Sequence, residues 1–356
     1  MSNARELAQI PSTPSGRRNL IINGAMNVAQ RGTSSTSGSG IRTIDRTGIS
    51  WGQGAVTQNQ IDLTSGDPYD AGFRHSFRMT NTTASSASSA YRQFYQYIEA
   101  QDVAQSGWDY TDSNSYLSFS FWVKSSLAGT YYIRAEAPDS PSIAQDWIDS
   151  FTVEANTWKK VSFQIAGGST VGVDNDNNVG LSVWVAPYYG TDYSDASVST
   201  QQWIDFSNSA QMPDFSQNWA NTSNATFEIT GVQLEVGSTA TEFEHRSYGE
   251  ELALCQRYYE SSSYPDGTAS NSNKHMGVAL DNSGSDVITG PNFMITKRDS
   301  PTMTITGFAE LDGTSKSTGT FVSYEVGPDR HLRFTIGAST TTGVAYRYHY
   351  TADAEL

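Results

Sequence analysis

Hydrophobic and polar side chains alternate residue by residue over much of this chain. In residues 117–124, Leu, Phe, Phe and Val take the odd positions, and Ser, Ser, Trp and Lys take the even ones. The same period of two recurs in residues 73–79, 131–136, 160–165 and 179–185. This period places every second side chain on one face of a β-strand, so each segment predicts a strand with one buried face. Antiparallel sheets packed face to face have this pattern, and we expect an all-β fold built as a sandwich.

A change of register interrupts the alternation in residues 226–236. The hydrophobic residues on either side of the change are Phe227 and Ile229, then Val232, Leu234 and Val236. One extra residue between the two groups would return all of them to the same face, and such an insertion is a β-bulge. Glycine is favoured at bulges, so Gly231 predicts a bulge within one long strand that closes the sandwich.

The pattern divides the 356 residues into four parts. Residues 1–18 form a leader whose prolines limit any helix to one or two turns, and in it Leu7 and Ile10 lie at helical spacing. Residues 19–249 hold the sandwich, residues 250–260 predict a short linking helix, and residues 261–356 predict a second, smaller β-sandwich. The leader is either a flexible terminus or a peptide that orders when Leu7 and Ile10 dock on a partner.

The charge of the chain excludes some partners. It carries 37 acidic and 22 basic residues, a formal net charge of −15, so we expect no nucleic-acid partner because phosphate binding needs a basic surface. No apolar run approaches the length that spans a bilayer, and the N-terminus has no secretory signal, so we expect no membrane insertion. The single cysteine, Cys255, cannot form an intrachain disulfide.

Aromatic side chains on the outward faces of predicted strands are candidates for sugar binding. A flat ring packs on the apolar side of a pyranose, while planar polar groups bind its hydroxyls. Aromatic residues also pack under loops or between subunits, and that alternative stays open for each of them. The glycan-binding candidates are Tyr95, Tyr97, Trp122, Tyr132, Trp184, Tyr188 and Tyr189.

Metal binding and catalysis have weaker signals. Asp174 and Asp176 offer oxygen ligands for calcium, but the glycine and the distal glutamate of a calcium loop are missing, and a hairpin turn is the simpler interpretation. Acidic residues such as Glu99 and Glu136 have no spacing that marks a catalytic pair. Cys255 lies on the apolar side of the predicted helix, which favours a buried structural thiol. We therefore expect no enzyme, no metal and no cofactor.

Three segments together resemble a known family. They are Asn19–Thr33 (NLIINGAMNVAQRGT), Phe227–Gly237 (FEITGVQLEVG) and Phe243–Tyr259 (FEHRSYGEELALCQRYY). In these segments the chain is similar to bacteriophage tail-fibre and fibre-like virion proteins, in which a jelly roll like that of carbohydrate-binding modules lies between such opening and closing motifs. The resemblance covers residues 19–260, and the C-terminal part resembles the tip domains that follow this motif only in pattern. The motifs themselves indicate fold rather than a site.

The resemblance implies a homotrimer anchored to other virion proteins by its N-terminus, with the C-terminus facing the host. A protein without disulfides or a signal peptide fits a virion component that is made in the host cytoplasm and released by lysis. The expected function is adsorption to the host through cell-surface glycan. The alternative, also open, is a capsid-decorating or tail-assembly protein that binds no receptor.

Overall fold

The computed structural model describes residues 18–36, 38–262, 275–279, 286–310, 321–325, 331–336 and 345–356. For residues 275–279, 286–292, 306–310, 321–325, 331–336 and 345–347 it describes the backbone alone. The docking candidates Leu7 and Ile10 lie outside the described residues. Within them the chain is all-β, as predicted, and no helix has the length and hydropathy needed to cross a bilayer.

Two antiparallel six-stranded sheets pack face to face in a jelly-roll-like sandwich. The first sheet contains, in spatial order, β1 (Ser34–Ser35), β3 (Ala55–Asp62), β4 (His75–Thr83), β12 (Thr226–Val236), β6 (Tyr116–Ser125) and β9 (Lys159–Ala166). The second contains β11 (Trp203–Asp205), β8 (Gln145–Val153), β7 (Gly129–Ala137), β10 (Val179–Tyr189), β5 (Tyr91–Glu99) and β2 (Gly48–Gly52). Short helices α1 (Asp67–Asp70) and α2 (Ala100–Ala104) and a 3-10 turn (Trp219–Asn221) lie in the connections.

The core lies between the two sheets and comes from the predicted alternation. Leu117, Phe119, Phe121 and Val123 of β6 are all buried in one cluster with side chains of the second sheet. Their polar neighbours face outward on the same strand. The aromatic rings interlock across the layer, and Phe121 meets Phe151 of β8 edge to face at 5.6 Å. Burial of these side chains supplies the main driving force for the sandwich.

The bulge predicted in the closing strand is confirmed. The register of β12 against β6 slips between Thr230 and Gln233, and Gly231 has a φ of +62°. Because of this insertion, Ile229 and Val232 both reach the core although their positions differ in parity. A left-handed φ is costly for residues with a side chain, so the glycine fixes where the slip occurs.

The C-terminal strands form a third, seven-stranded antiparallel sheet. It contains β13 (Tyr259–Ser261), β14 (His275–Ala279), β15 (Asp286–Asn292), β16 (Thr302–Glu310), β17 (Phe321–Glu325), β18 (His331–Ile336) and β19 (Ala345–Asp353). β19 pairs with β13, β14 and β16, so it is the centre of the sheet. The strands predicted to build a smaller sandwich are thus hydrogen-bonded into one continuous sheet.

The linking helix begins and ends earlier than predicted. Helix α3 spans Tyr248–Gln256 rather than residues 250–260, because Ser247 and Glu250 form a capping box at its start. The chain enters β13 at Tyr259. Cys255 of this helix is fully buried beside Ile22 and Val28, and burial raises the pKa of its thiol well above the usual value. The expected burial of this thiol is therefore confirmed.

Ion pairs join the C-terminal segment, and the connection between α3 and β13, to the sandwich. Glu355, near the C-terminus, pairs with the buried guanidinium of Arg46, which also lies 3.4 Å above the ring of Tyr258. Arg257 donates to Glu99 at the end of β5, with a 2.7 Å ion pair. These contacts place the C-terminal sheet firmly against the opening segment and the helix.

Candidate functional site

Polar and aromatic side chains share the outer face of the second sheet. Along β5, Arg92, Phe94 and Ile98 point toward the first sheet, so the intervening residues point outward. The antiparallel register places β10 and then β7 beside them. The outward side chains brought together in this way are Tyr91, Gln93, Tyr95 and Tyr97 of β5, Trp184 of β10, and Tyr132, Arg134 and Glu136 of β7.

Tyr95, Tyr97 and Trp184 form an aromatic cluster in the middle of this face. The ring centroids of Tyr95 and Tyr97 are 4.9 Å apart, and each lies within 5.7 Å of Trp184. The tyrosines are half-buried, whereas Trp184 is only 7% exposed because they cover it. Gly48 of β2 leaves room for Tyr95, since a Cβ there would lie 2.4 Å from its ring. Burial raises the pKa of Tyr95 to about 12, so its hydroxyl stays protonated at neutral pH.

Arg134 lies beside this cluster and is almost fully buried. Its guanidinium stacks 4.9 Å from the Trp184 ring, donates to Gln211 at 3.0 Å and pairs with Glu136 at 2.9 Å. Asp146 of β8 lies 3.7 Å away on the other side. Because Asp146 is 1% exposed, desolvation raises its pKa to about 7 despite the attraction of Arg134. The pairs hold the polar groups of this face in fixed positions.

A cavity of about 250 Å³ opens next to Arg134. Its lining consists of three tyrosines and two glutamines, namely Tyr91, Gln93, Tyr189, Tyr193 and Gln211. The rings of Tyr91 and Tyr189 are nearly parallel with centroids 6.0 Å apart, and Tyr193 meets Tyr91 edge to face at 5.7 Å. The Tyr189 hydroxyl donates to the side-chain oxygen of Gln93. We call this space the tyrosine cavity.

The loop between β11 and β12, together with Tyr193 from the connection between β10 and β11, builds one wall of the tyrosine cavity. Met212 and Phe215 of this loop pack on Tyr132 and Tyr189, which anchors the loop to the sheet. The Gln211 backbone N–H donates to the Tyr193 carbonyl at 2.8 Å and brings both side chains to the cavity. The opposite wall is the sheet itself, which does not depend on the loop. Such a site is largely preformed.

The lining has the chemistry that sugars require. Tyrosine rings offer flat apolar faces with a hydroxyl at the edge, and glutamine amides both donate and accept hydrogen bonds. Around the cavity the charged groups Arg134, Glu136 and Asp146 are already paired with one another. An uncharged ligand with many hydroxyl groups therefore fits this face better than an ion does.

The structure brings together four of the seven predicted glycan-binding residues. Tyr95, Tyr97 and Trp184 form the aromatic cluster, and Tyr189 lines the tyrosine cavity. Trp184 and Tyr189 are buried, so direct stacking on a sugar is expected from the half-buried tyrosines instead. Direct contact with ligand stays untested for all seven.

The other three candidates lie elsewhere. Tyr132 is on the same face but is covered by the loop, with its hydroxyl donating to the Asp214 carbonyl at 3.0 Å. Tyr188 packs against the core cluster and Phe215 because the register of β10 slips just before it. Trp122 lies on the outer face of the first sheet. For Tyr132 and Tyr188 the structure thus shows the packing under loops that the sequence left open as the alternative.

Several residues of this face were not among the predicted glycan-binding candidates. Gln93 and Tyr91 lie two and four residues before Tyr95, so the same alternation places both on the outward face. Arg134 lies two residues after Tyr132 and shares its outward face for the same reason. Tyr193 and Gln211 come from the connections before and after β11, which have no periodicity, so no local pattern could place them in the cavity.

Among the acidic residues named as weak candidates, Asp176 and Glu99 have partners for their side chains. The side chain of Asp176 accepts from the backbone N–H of Asn178 at 2.9 Å, which is the turn expected from such a sequence, and Asp139 accepts from the backbone of Asp174 at 3.1 Å. Glu99 is held by Arg257 and Tyr258. Within the described residues no group of three or more His, Cys, Asp or Glu side chains is arranged to hold a metal ion.

No protein-family model matches the chain, and no curated protein sequence matches it. Among solved structures, the enzymatically active domain of tailspike protein 4 of bacteriophage CBA120 is similar over 62% of this chain and 21% of that chain, with a TM-score of 0.32 and 11% identity. The CBM22-1–GH10 modules of Clostridium thermocellum xylanase 10B, complexed with xylohexaose, match over 65% of this chain and 30% of that chain, with a TM-score of 0.32 and 9% identity.

A third similar structure is CBM28, a carbohydrate-binding module specific for non-crystalline cellulose. It matches over 62% of this chain and 96% of that module, with a TM-score of 0.30 and 9% identity. The similarity spans less than two-thirds of the tailspike and xylanase chains. At this level of similarity the matches assign no ligand, activity or partner to this chain.

Proposed function

We propose that this protein is a non-catalytic glycan-binding protein of a bacteriophage virion that attaches the particle to its host. The observation that carries the proposal is the tyrosine cavity, whose rings and amides are of the kind that bind a pyranose and its hydroxyls. The paired charges around it favour a neutral saccharide. The two carboxyl groups beside the cavity, Glu136 and Asp146, are paired with Arg134, which supports binding without turnover.

The virion context is supported by the sequence motifs. The opening and closing segments resemble those of tail-fibre proteins, and this resemblance also implies a homotrimer held to other virion proteins. A trimer would present each cavity three times, so weak individual contacts would combine into stable attachment. The net charge of −15 is compatible with a neutral glycan partner.

Binding can be tested on an array of neutral and acidic oligosaccharides, including bacterial surface glycans. We expect retention of neutral glycans and at least tenfold weaker binding for Tyr193→Ala, since the variant removes one ring from the cavity. The matched control is Tyr248→Ala, because Tyr248 is 45% exposed and lies on helix α3 outside the cavity. Equal loss in both variants, or no retention of any glycan, would overturn the proposal.

The position on the particle needs a separate experiment. Gold-labelled antibody against this chain, viewed by electron microscopy of intact virions, should mark the tail in multiples of three copies. Label at capsid vertices or face centres would instead support the alternative of a decoration protein. Sedimentation of the purified chain should give the mass of a trimer, and a monomer would contradict that part of the proposal.

A further inference from the structure

A second cavity, of about 470 Å³, lies on the outer face of the first sheet. This face is on the opposite side of the sandwich from the tyrosine cavity. Strands β6, β9 and β12 form its floor, and the segment that follows β12 forms a wall. Its volume lies within the range of about 300–1,000 Å³ that is usual for small-molecule sites. We call it the Trp122 cavity, after the indole that lines it.

The wall of the Trp122 cavity is built from interlocking rings. Phe73 meets Phe243 at 4.8 Å and His245 at 5.1 Å, and these last two lie 4.9 Å from each other. The bulge at Gly231 allows this arrangement, because a Cβ there would lie 2.6 Å from the Phe73 ring. The cavity is therefore a consequence of the bulge and is held rigidly by the fold.

Trp122 and Lys160 lie side by side on the floor of this cavity. They are direct partners in the register of β6 and β9, so their side chains project from the same face. Trp122 is half-buried and Lys160 is exposed. Glu242, also exposed, enters from the wall. Within the described residues neither the Lys160 ammonium nor the Glu242 carboxylate has a hydrogen-bond or ion-pair partner, so both are available to a ligand.

These three side chains together select a class of ligand. An indole offers the largest flat apolar face among the side chains, the ammonium donates up to three hydrogen bonds, and the carboxylate only accepts them. A sugar ring has an apolar face and hydroxyls that both donate and accept, so it can satisfy all three groups at once. Because Lys160 and Glu242 carry opposite charges and the chain as a whole carries −15, an anionic sugar gains no net attraction here, which favours a neutral one.

We propose that the Trp122 cavity is a second glycan-binding site that takes a neutral pyranose residue, with Trp122 stacking on the ring and Lys160 and Glu242 binding its hydroxyls. The inference rests on the proposed function for the class of ligand, but it uses a different face of the protein and different residues. Each chain would then engage the host surface on both sides of the sandwich, which increases avidity without any further subunit.

Isothermal titration of the full chain with cellotetraose, β-1,4-galactotetraose and β-1,4-mannotetraose tests the second site, with tetragalacturonate as the acidic counterpart. We expect two sites per chain for at least one neutral probe and at least tenfold weaker binding of tetragalacturonate. Lys160→Ala and Trp122→Ala should each remove one site, and Tyr193→Ala should remove the other. Lys160 is exposed, so its variant should fold even if the tryptophan variant does not.

Lys159→Ala is the matched control, because Lys159 is an exposed neighbour that donates to the Thr152 carbonyl at 2.7 Å instead of lining the cavity. If the titration shows a single site that Tyr193→Ala removes and Lys160→Ala leaves unchanged, the proposal for the Trp122 cavity is wrong and the one for the tyrosine cavity stands. If it shows a single site that Lys160→Ala removes and Tyr193→Ala leaves unchanged, the proposal for the tyrosine cavity is wrong and the one for the Trp122 cavity stands. No binding of any probe would overturn both proposals.

Discussion

Gly231 occupies a backbone position that no other residue can take without strain. Its φ of +62° is left-handed, and a Cβ would lie 2.6 Å from the Phe73 ring. We expect Gly231→Ala to lower the free energy of unfolding by about 2–4 kcal/mol, from the cost of the left-handed conformation and from overpacking. Urea denaturation measures this. Gly249→Ala is the control, since a Cβ there meets nothing within 4 Å and alanine favours the helix. Equal stabilities of the two variants would contradict the argument.

Asp146 should make stability depend on pH. Its pKa is raised by burial to about 7, against 3.8 in the unfolded chain. Between these values the folded state keeps the proton that the unfolded state loses, so the free energy of unfolding falls as pH rises from 4 to 7, by at most about 1.4 kcal/mol per pH unit. The contribution is fully present below pH 4 and lost above pH 7.

Asp146→Asn cannot titrate, so its stability profile between pH 5 and pH 8 should be less steep than that of the wild type. It should not become level, because burial also raises the pKa of Asp45, to about 6. Urea denaturation at several pH values measures the profiles, and identical slopes for wild type and Asp146→Asn would rule out this account of the carboxyl.

The contacts of helix α3 explain why the sequence motifs at the two ends of the sandwich indicate its fold. Glu251 of the helix accepts from the backbone N–H of Asn23 at 2.5 Å and pairs with Arg246 at 3.3 Å. Both contacts are buried, so Glu251→Ala leaves a buried donor without a partner and should cost about 2–3 kcal/mol. Glu250→Ala removes only the exposed cap and should cost about 1 kcal/mol. Thermal unfolding that ranks the two in the opposite order would contradict this.

The strands of the sandwich were predictable because each carries its own period of two. The bulge was predictable as well, since the parity changes beside a glycine in β12. The helix begins two residues before the predicted start at residue 250, because Ser247 caps it and Tyr248 is its first residue. The site was predicted in part. The alternation of side chains finds Tyr95 and Tyr97, but only tertiary structure brings Tyr193 and Gln211 to the tyrosine cavity. The alternation of side chains along a strand also cannot show that the loop covers Tyr132.

The whole molecule depends on contacts that lie far apart in sequence. Arg46 is buried between Tyr258 and Glu355, so removal of its acidic partner leaves an uncompensated charge in the junction. We expect Glu355→Ala to destabilise the protein by about 3–5 kcal/mol. Asp353→Ala should cost less than about 1 kcal/mol, because the Asp353 side chain is 46% exposed. Thermal unfolding that shows equal effects would mean that the Arg46 pair does not hold the C-terminal sheet.

The central claim, that the outer face of the second sheet binds a neutral glycan, is tested most directly by a crystal structure of the protein with whichever neutral tetrasaccharide it binds. We predict density for at least one pyranose ring in the tyrosine cavity, against Tyr91 and Tyr193 and within hydrogen-bond distance of Gln93 or Gln211. Saccharide density elsewhere on the molecule, with the tyrosine cavity holding only water, would contradict the account.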